Sequence, residues 1–268
     1  MAPAQAQVDR LNADFWEELC GTSLAAHLGI TDDSPESLAR FDRHYLGLYP
    51  YLDRYLPRPG AGTGDRLLEI GLGYGTVSQV LASRGFDYHG LDIAAGPVEM
   101  VRHRLRLLGI GEPEARVQVG SALEIPHPDE SFDHVVTLGC LHHTGDLAGA
   151  VGEVHRVLRP GGRAVVMIYK NSLRRRSGAA LRSLRHRGDA EEEMRGAYDR
   201  NLEGEAAPAT EYTSVREARK LFSPFSAVAV RRENFDQPRY VGRFLPRERL
   251  LGLPARLAGL DLYVTATK

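Results

Sequence analysis

The spacing of apolar positions changes along the chain. In the first part, apolar side chains such as Leu38, Phe41 and Tyr45 recur every three or four positions, which is the period of one helix face. A run of prolines and glycines, PRPGAGTG, then interrupts any helix. We therefore predict an N-terminal helical segment over residues 1–60 and a separate domain over residues 61–268.

Beyond this break, apolar runs of strand length alternate with stretches of helical period. The predicted strands are residues 66–70, 86–93, 115–120, 132–140, 163–169, 225–233 and 260–268. Such alternation indicates a mostly parallel sheet with helices on both faces, because parallel strands need crossover connections. The last two strands fit a terminal antiparallel pair. We predict an α/β fold with a doubly wound, mostly parallel sheet of seven strands and an insertion at about 170–215.

Composition and charge exclude several classes of protein. The formal net charge is -1, which gives no reason to expect a nucleic-acid or anionic-membrane partner. Cys20 and Cys140 are too few for a disulfide framework. The sequence begins without the apolar core of a secretory signal, and no apolar run approaches the roughly 18 residues that span a bilayer. We expect a cytoplasmic protein, a monomer or a homodimer, without a membrane partner.

The sequence LLEIGLGYG carries the most informative chemistry. A predicted buried strand runs into Gly71, Gly73 and Gly75, which allow a tight turn and a close approach of ligand to backbone. The N–H groups of the following helix favour an anionic or carboxylate group. Asp92 ends the next strand, roughly twenty residues after the first glycine, where a carboxylate can bind two ribose hydroxyls. The pair predicts a nucleotide-like ligand, either a dinucleotide or S-adenosylmethionine (SAM).

Two details favour SAM over a dinucleotide. The dinucleotide fingerprint is G-x-G-x-x-G, whereas the third glycine here comes one residue too early. Glu69 stands directly before the loop. Its carboxylate would repel a pyrophosphate and attract the ammonium group of a methionine moiety. We therefore expect SAM rather than a nicotinamide cofactor.

Four motifs in order resemble the class I SAM-dependent methyltransferases, in particular the methyltransferase type 11 group. Within residues 66–169 they read LLEIGLGYGTVSQVLASRG, YHGLDIAAGPVEMVRHRL, VQVGSALEIPHPDESFDHVVTLGCLHHTGD and EVHRVLRPGGRAVVMIY. The resemblance implies a Rossmann-like fold. It also implies transfer of a methyl group from SAM, leaving S-adenosylhomocysteine, to an O, N or C nucleophile of a small molecule, for example in secondary metabolism.

The resemblance also implies how the cofactor is held. Glu69 and the three loop glycines would hold the methionine part, and Asp92 would bind the ribose with Ile93 packed on the adenine. Ser121 and Ala122 would lie along the adenine edge. The family often has an acid where this chain has Ser121, so a hydroxyl or backbone group must replace that contact with the adenine amine. The positions near the sulfonium would be Leu138 and Gly139.

In relatives of this group, an N-terminal segment folds over the SAM pocket as a lid. Tyr45 and Tyr49 lie one turn apart on one face of the predicted N-terminal helices. The resemblance places these two rings over the sulfonium or its carboxylate. The alternative is that they only pack the helix against the domain.

Two histidines are the candidate catalytic residues. His142 and His143 follow the fourth predicted strand, at the edge where ligands bind in such sheets. Histidine titrates near neutrality and suits a general base for a hydroxyl acceptor. The alternative is that one of them packs on SAM or caps the next helix. We expect no metal, because no His, Cys or Asp cluster has metal-site spacing.

Other interpretations remain open. Arginines between residues 174 and 187 form either an anion site or a solvated helix face. A SAM-binding enzyme that does not methylate would carry the same motifs. An RNA or DNA methyltransferase is disfavoured, because TLGCLHH stands where amino-methylating DNA enzymes have [N/D]-P-P-[Y/F]. The acceptor itself cannot be predicted from any motif.

Overall fold

The computed structural model describes most of the chain. Its helices are α1 (Gln5–Trp16), α2 (Thr22–His27), α3 (Pro35–Leu48), α4 (Thr76–Ser83), α5 (Ala95–Leu107), α6 (Pro113–Arg116), α7 (Leu147–Val157), α8 (Ala190–Arg195), α9 (Val215–Leu221), α10 (Arg247–Leu250) and α11 (Leu253–Ala258). Its strands are β1 (Arg66–Ile70), β2 (Asp87–Asp92), β3 (Val117–Val119), β4 (Phe132–Leu138), β5 (Leu158–Tyr169), β6 (Ala227–Glu233) and β7 (Asp261–Thr267). The described residues are 4–60, 64–172, 175–177, 190–196, 198–235 and 247–268.

The seven strands form one sheet in the order β3-β2-β1-β4-β5-β7-β6. The pairs from β3 to β5 are parallel, whereas β7 runs antiparallel between β5 and β6. This confirms the predicted mostly parallel sheet and its terminal antiparallel pair. The strand order reverses between β1 and β4, and ligands bind in the crevice that such a reversal opens at the carboxyl ends of the strands.

Strand β1 carries apolar side chains on both of its faces because helices cover both faces of the sheet. On β1, Leu68 and Ile70 pack into one hydrophobic cluster with α7 and α9. Leu67, on the opposite face, packs into a second cluster with α4, α5 and the aromatic residues that follow α3. Burial on two faces explains why this strand lacks the alternation of polar and apolar residues that a half-exposed strand shows.

The N-terminal helices are attached to the rest of the domain by packing and by a buried ion pair between Asp42 of α3 and Arg104 of α5. Ser34 caps α3 by accepting a hydrogen bond from Ser37 N–H, and Pro35 occupies the first turn. Phe41 is 1% exposed and stacks on Tyr74 of the glycine loop.

None of the helices in the described residues is both long and apolar enough to cross a membrane.

Three local features differ from the sequence-based expectation. β5 begins at Leu158 rather than at residue 163, and β3 spans only Val117–Val119. A short helix, α6, stands before β3. β5 is longer because its proline-glycine turn pairs with the end of the chain: Gly161 N–H donates to the Lys268 carbonyl, and Lys268 N–H donates to the Gly162 carbonyl. Such long-range pairing leaves no local sequence signal.

The arginine cluster of the predicted insertion lies mostly outside the described residues. Arg175 is described, and its side chain is buried rather than solvated. Its guanidinium lies over three aromatic rings and pairs with Asp261 at 3.1 Å; the rings belong to Tyr169, Tyr198 and Tyr212. Arg175 therefore anchors the insertion to the end of β5 and to β7.

The ion pair between α3 and α5 gives a stability prediction. Arg104 is 1% exposed, and its two terminal nitrogens contact both Asp42 oxygens at 2.9 and 3.1 Å. Asp42→Ala leaves this arginine charged and unpaired, so we expect the free energy of unfolding to fall by about 3–5 kcal/mol in urea denaturation. Asp53→Ala, which breaks surface pairs with Arg58 and Arg84, is the control and should cost about 1 kcal/mol or less. Equal losses in both variants would contradict this assignment.

Candidate functional site

A cavity opens at the carboxyl ends of β1, β2 and β4, where the strand order reverses. Its wall combines the turn after β1, the ends of β2 and β4, the loop after β3 and parts of the N-terminal helices. Each predicted cofactor residue except Tyr49 lines it: Tyr45, Glu69, Gly71, Gly73, Gly75, Asp92, Ile93, Ser121, Ala122, Leu138 and Gly139. The fold therefore brings together residues that are distant in sequence.

The turn after β1 requires glycine for two separate reasons. Gly71, Gly73 and Gly75 have φ values of 81°, 51° and 79°, in the left-handed region that favours glycine. A Cβ atom on Gly71 would lie 2.4 Å from Cys140 Cβ, and one on Gly75 would lie 2.7 Å from Arg104 Cδ. The turn is thus clamped between the end of β4 and α5, which fixes its backbone against the cavity.

Asp92 joins the ends of the first two strands. One oxygen accepts the Leu72 N–H at 2.7 Å, and the other accepts the Ala94 N–H at 3.1 Å. Burial raises the pKa of the Asp92 carboxyl to about 6, although these backbone donors oppose the shift. The carboxylate lines the cavity with capacity for further donors.

Glu69 is a buried carboxyl on the cavity wall. It is 3% exposed and accepts the Tyr88 O–H at 2.6 Å. Burial raises its pKa to about 7, while the hydrogen bond from Tyr88 acts in the opposite direction. Within the described part of the chain it forms no salt bridge. A cationic group entering the cavity would therefore gain an electrostatic partner that the protein does not already neutralise.

Helix α1 covers the cavity and is fastened at its end. Trp16 lines the cavity, and the neighbouring Glu17 carboxylate accepts the N–H groups of Ala95 and Gly96 at the start of α5, at 2.9 and 3.1 Å. Further lining residues of the N-terminal segment were not predicted from the sequence; they are Asp9, Asn12, Cys20 and Phe41. Asp9, Asn12 and Trp16 follow the three-to-four spacing of one helix face, which was the available signal.

The two predicted lid tyrosines have different positions. Tyr45 lines the cavity. Tyr49 lies behind it, with the two ring centroids 5.0 Å apart, and the Arg247 guanidinium lies 5.5 Å from the Tyr49 ring. Tyr49 thus supports Tyr45 rather than facing the cavity.

The two adjacent histidines also differ. His142 is fully buried, its ring packs 4.1 Å from Tyr169, and burial lowers its pKa well below the usual range. His143 lines the cavity, with its ring 4.9 Å from the Trp16 ring and its Nδ1 atom 2.8 Å from the Ala209 carbonyl oxygen. Burial lowers the pKa of His143 as well, so both rings are neutral near pH 7. Only His143 is placed to meet a ligand in this cavity.

Comparisons with known proteins agree with this geometry. The family profile described as Methyltransferase domain matches residues 68–166. The 27-O-demethylrifamycin SV methyltransferase of Amycolatopsis mediterranei is 31% identical over 156 residues, which cover 56% of this chain and 53% of the relative. The demethylmenaquinone methyltransferase of Tropheryma whipplei is 30% identical over 115 residues, or 43% of this chain and 46% of the relative. The chain thus spans about half the length of these curated relatives.

Solved structures share the fold at low sequence identity. Geranyl diphosphate C-methyltransferase from Streptomyces coelicolor has a TM-score of 0.58 and 16% identity, covering 99% of this chain and 98% of its own. A SAM-dependent methyltransferase from Thermotoga maritima has a TM-score of 0.55 and 21% identity, covering 84% and 89%. These two likenesses show the fold. The family match over residues 68–166 and the curated relatives support a class I SAM-dependent methyltransferase, and the cofactor of that family is SAM.

The crowding at Gly71 can be tested against a glycine with the same backbone conformation. Gly85 has a φ of 85°, but a Cβ atom added there would meet no atom within 4 Å, unlike one added at Gly71. Gly85→Ala should lower the free energy of unfolding by about 1–2 kcal/mol from backbone strain alone. Gly71→Ala adds a clash worth about 1–3 kcal/mol. Chemical denaturation compares the two, and equal losses would show that the turn is not clamped against Cys140.

Proposed function

We propose that this protein transfers a methyl group from SAM to a nucleophilic atom of a small molecule. One observation carries the proposal: two buried carboxyls, Glu69 and Asp92, flank a glycine turn at the switch point of the sheet. The ammonium group of an amino acid matches Glu69, and a pair of ribose hydroxyls matches Asp92. A dinucleotide such as NAD would bring its anionic pyrophosphate to this turn beside Glu69, whereas SAM supplies an ammonium group and ribose hydroxyls.

The proposed arrangement of the cofactor follows the cavity wall. The ammonium group of the methionine part binds Glu69, the ribose binds Asp92, and the adenine packs on Ile93. Ser121 and Ala122 line the adenine edge, where the Ser121 hydroxyl already accepts the Leu123 N–H at 3.2 Å and is free to turn its own hydrogen elsewhere. The sulfonium lies between the lid and the end of β4, near Tyr45, Leu138 and Gly139.

The acceptor enters on the remaining side of the cavity. Trp16 and His143 form this side, and the Ala209 carbonyl holds the His143 ring through its Nδ1 atom. Methyl transfer is an in-line displacement, so walls that align the acceptor atom with the methyl group supply much of the catalysis. We propose His143 as the catalytic residue for acceptors that must lose a proton. His142 supports its ring and does not face the cavity.

Names of relatives support a small acceptor. Relatives of this chain are named for a rifamycin, a menaquinone precursor and a sterol. We place this chain with them as an enzyme that methylates a small organic molecule, and we propose secondary metabolism as its setting. A SAM-binding enzyme that does not methylate would share the same cofactor residues, so a test of function has to include product formation.

Calorimetric titration with SAM, S-adenosylhomocysteine and NAD tests the cofactor assignment. We expect micromolar binding of the first two and none of NAD. Asp92→Asn removes charge-assisted hydrogen bonds worth about 1.5–3 kcal/mol, so the affinity for SAM should fall about tenfold to 100-fold. Asp87→Asn, at the other end of the same strand, is the matched control and should bind SAM normally. Binding of NAD alone, or unchanged affinity in Asp92→Asn, would refute the assignment.

The raised pKa values predict how the affinity for SAM depends on pH. The empty site holds Glu69 with a pKa of about 7 and Asp92 with a pKa of about 6, and SAM binds their ionised forms. Affinity should therefore fall as pH decreases from 8 to 5, and Glu69→Gln should remove the part of this loss near pH 7. The stability of the empty protein should show the opposite trend. Because the folded-state pKa of Glu69 is raised, the free energy of unfolding should fall as pH rises through the interval between about 4.5 and 7. A pH-independent affinity would contradict the role of both carboxyls.

A further inference from the structure

A second cavity lies at the amino ends of β4 and β5, at the opposite edge of the sheet from the cavity described above. We call it the distal cavity. Its floor is formed by residues 134, 163–165, 227–229 and 265–267 of the sheet, and its wall is the segment 54–58. Its volume is about 550 Å³, which is within the usual range of small-molecule sites. The proposed methyl transfer makes no use of this cavity.

The wall of the distal cavity is fixed by its own contacts. Arg54 pairs with Glu233 at 2.6 Å, and the Tyr55 hydroxyl donates to the same carboxylate oxygen at 2.5 Å. At the next two residues of the wall, the Arg84 guanidinium donates to both backbone carbonyl oxygens, at 3.0 and 2.8 Å. Because the wall is already ordered, a ligand does not have to order it on binding.

The register of the sheet places three polar side chains side by side on the floor. Arg163 is paired with Thr267 across β5 and β7, and Val165 is paired with Thr265 two residues further along. Because alternate residues of a strand share a face, Arg163, Thr265 and Thr267 point to the same side of the sheet. All three line the distal cavity. The floor thus presents a guanidinium beside two hydroxyl groups.

These three polar groups have no partner in the part of the chain that the structure describes. The Arg163 side chain forms no hydrogen bond or ion pair there, and neither threonine hydroxyl forms a hydrogen bond. The two arginines of the wall differ, because Arg54 pairs with Glu233 and Arg58 pairs with Asp53 at 2.8 Å. Arg163 is therefore the arginine of this cavity that lacks a carboxylate partner.

The other lining residues indicate what kind of ligand fits. Among the described residues, no Asp or Glu side chain lines the distal cavity. The floor also carries the apolar side chains of Val165, Ala227 and Ala229, and the wall adds Tyr55 and Leu56. A matching ligand has an oxyanion at one end and an apolar body at the other.

We propose that the distal cavity binds a small organic oxyanion, whose carboxylate or phosphate group lies on Arg163 and on the hydroxyls of Thr265 and Thr267. The guanidinium can donate two parallel hydrogen bonds to such a group, and the hydroxyls donate to its remaining lone pairs. The apolar body of the ligand lies between the wall and the alanines of β6. This site is separate from the proposed methyl transfer and does not depend on it.

The size of the cavity and its single unpaired arginine argue against two other ligands. An inorganic ion would leave most of the roughly 550 Å³ to water and the apolar part of the floor without a partner. A nucleic acid would need a row of unpaired arginines or lysines, because its affinity grows with the number of phosphates that basic side chains neutralise. One guanidinium and two hydroxyls match one oxyanion group.

Calorimetric titration of the full-length protein with phenyl phosphate and benzoate tests the proposal. Inorganic phosphate and benzyl alcohol serve as controls for the anion alone and for the apolar body alone. We expect at least one of the two aryl oxyanions to bind saturably and more tightly than both controls. Equal affinity for benzyl alcohol would refute the role of the charge, and equal affinity for inorganic phosphate would refute the role of the apolar floor. No binding of either aryl oxyanion at millimolar concentration would overturn the proposal.

Variants of the three polar residues assign the binding to this cavity. Arg163→Gln should weaken the binding of the aryl oxyanion about tenfold or more, because it removes charge-assisted hydrogen bonds. Arg219→Gln, at an exposed arginine of α9 outside the cavity, is the matched control and should bind normally. Thr265→Val and Thr267→Val keep the side-chain shape, and each should weaken binding about threefold to tenfold through the lost hydroxyl. Unchanged affinity in Arg163→Gln would overturn the assignment.

The apolar half of the site is tested by Ala229→Leu. Leucine at this exposed position of β6 takes up space on the floor, whereas the three polar residues stay unchanged. We expect weaker binding of the aryl oxyanion, and unchanged binding in this variant would refute the place given to the apolar body. Thermal denaturation of each variant separates lost binding from lost folding. Titration of Arg163→Gln with SAM should match the wild-type protein, so failure of the proposed cofactor site and failure of the distal site are distinguishable.

Discussion

The hydrogen bond from Leu72 N–H to the Asp92 carboxylate is the contact on which the site depends. It joins the turn after β1 to the end of β2, and its 2.7 Å length is that of a charge-assisted bond. With Gly71 held against Cys140 on the other side, the turn has one available course between two strands. This backbone path of the turn shapes the cavity and leaves the turn backbone exposed to it. It also sets the position of the second carboxyl, Glu69.

Carboxyl groups in this site are buried before any ligand binds. Glu69 and Asp92 have raised pKa values because they are removed from water without a matching cation. Such an arrangement lowers the stability of the empty protein near neutral pH, and a ligand that brings a cation and hydroxyl donors recovers it. The destabilising feature of the folded chain is therefore the same feature that, in our proposal, selects the cofactor.

The N-terminal helices connect the cofactor side of the cavity to the acceptor side. Glu17 accepts the first N–H groups of α5 beside the proposed ribose site, and Glu18 accepts the Leu202 N–H at 2.9 Å in the segment that carries Asp199. Asn12, from the same helix, donates to the His143 carbonyl at 2.7 Å. Helix α1 and the two residues that follow it therefore hold the His143 segment, Trp16 and the start of α5 in a fixed relation.

Local sequence patterns determined the strands, the glycine turn and the residues that line the cofactor side. A strand with apolar residues on both faces, such as RLLEI, requires burial on two faces. A strand followed by Gly71, Gly73 and Gly75 has few possible conformations. Only the tertiary structure separated His143 from His142, moved Tyr49 behind Tyr45, and brought Asp199 to within 3.8 Å of His143. The physical reason is the separation along the sequence over which each effect acts. Backbone periodicity and turn geometry act over a few residues. Whether two side chains more than fifty positions apart come into contact depends on how the whole insertion packs.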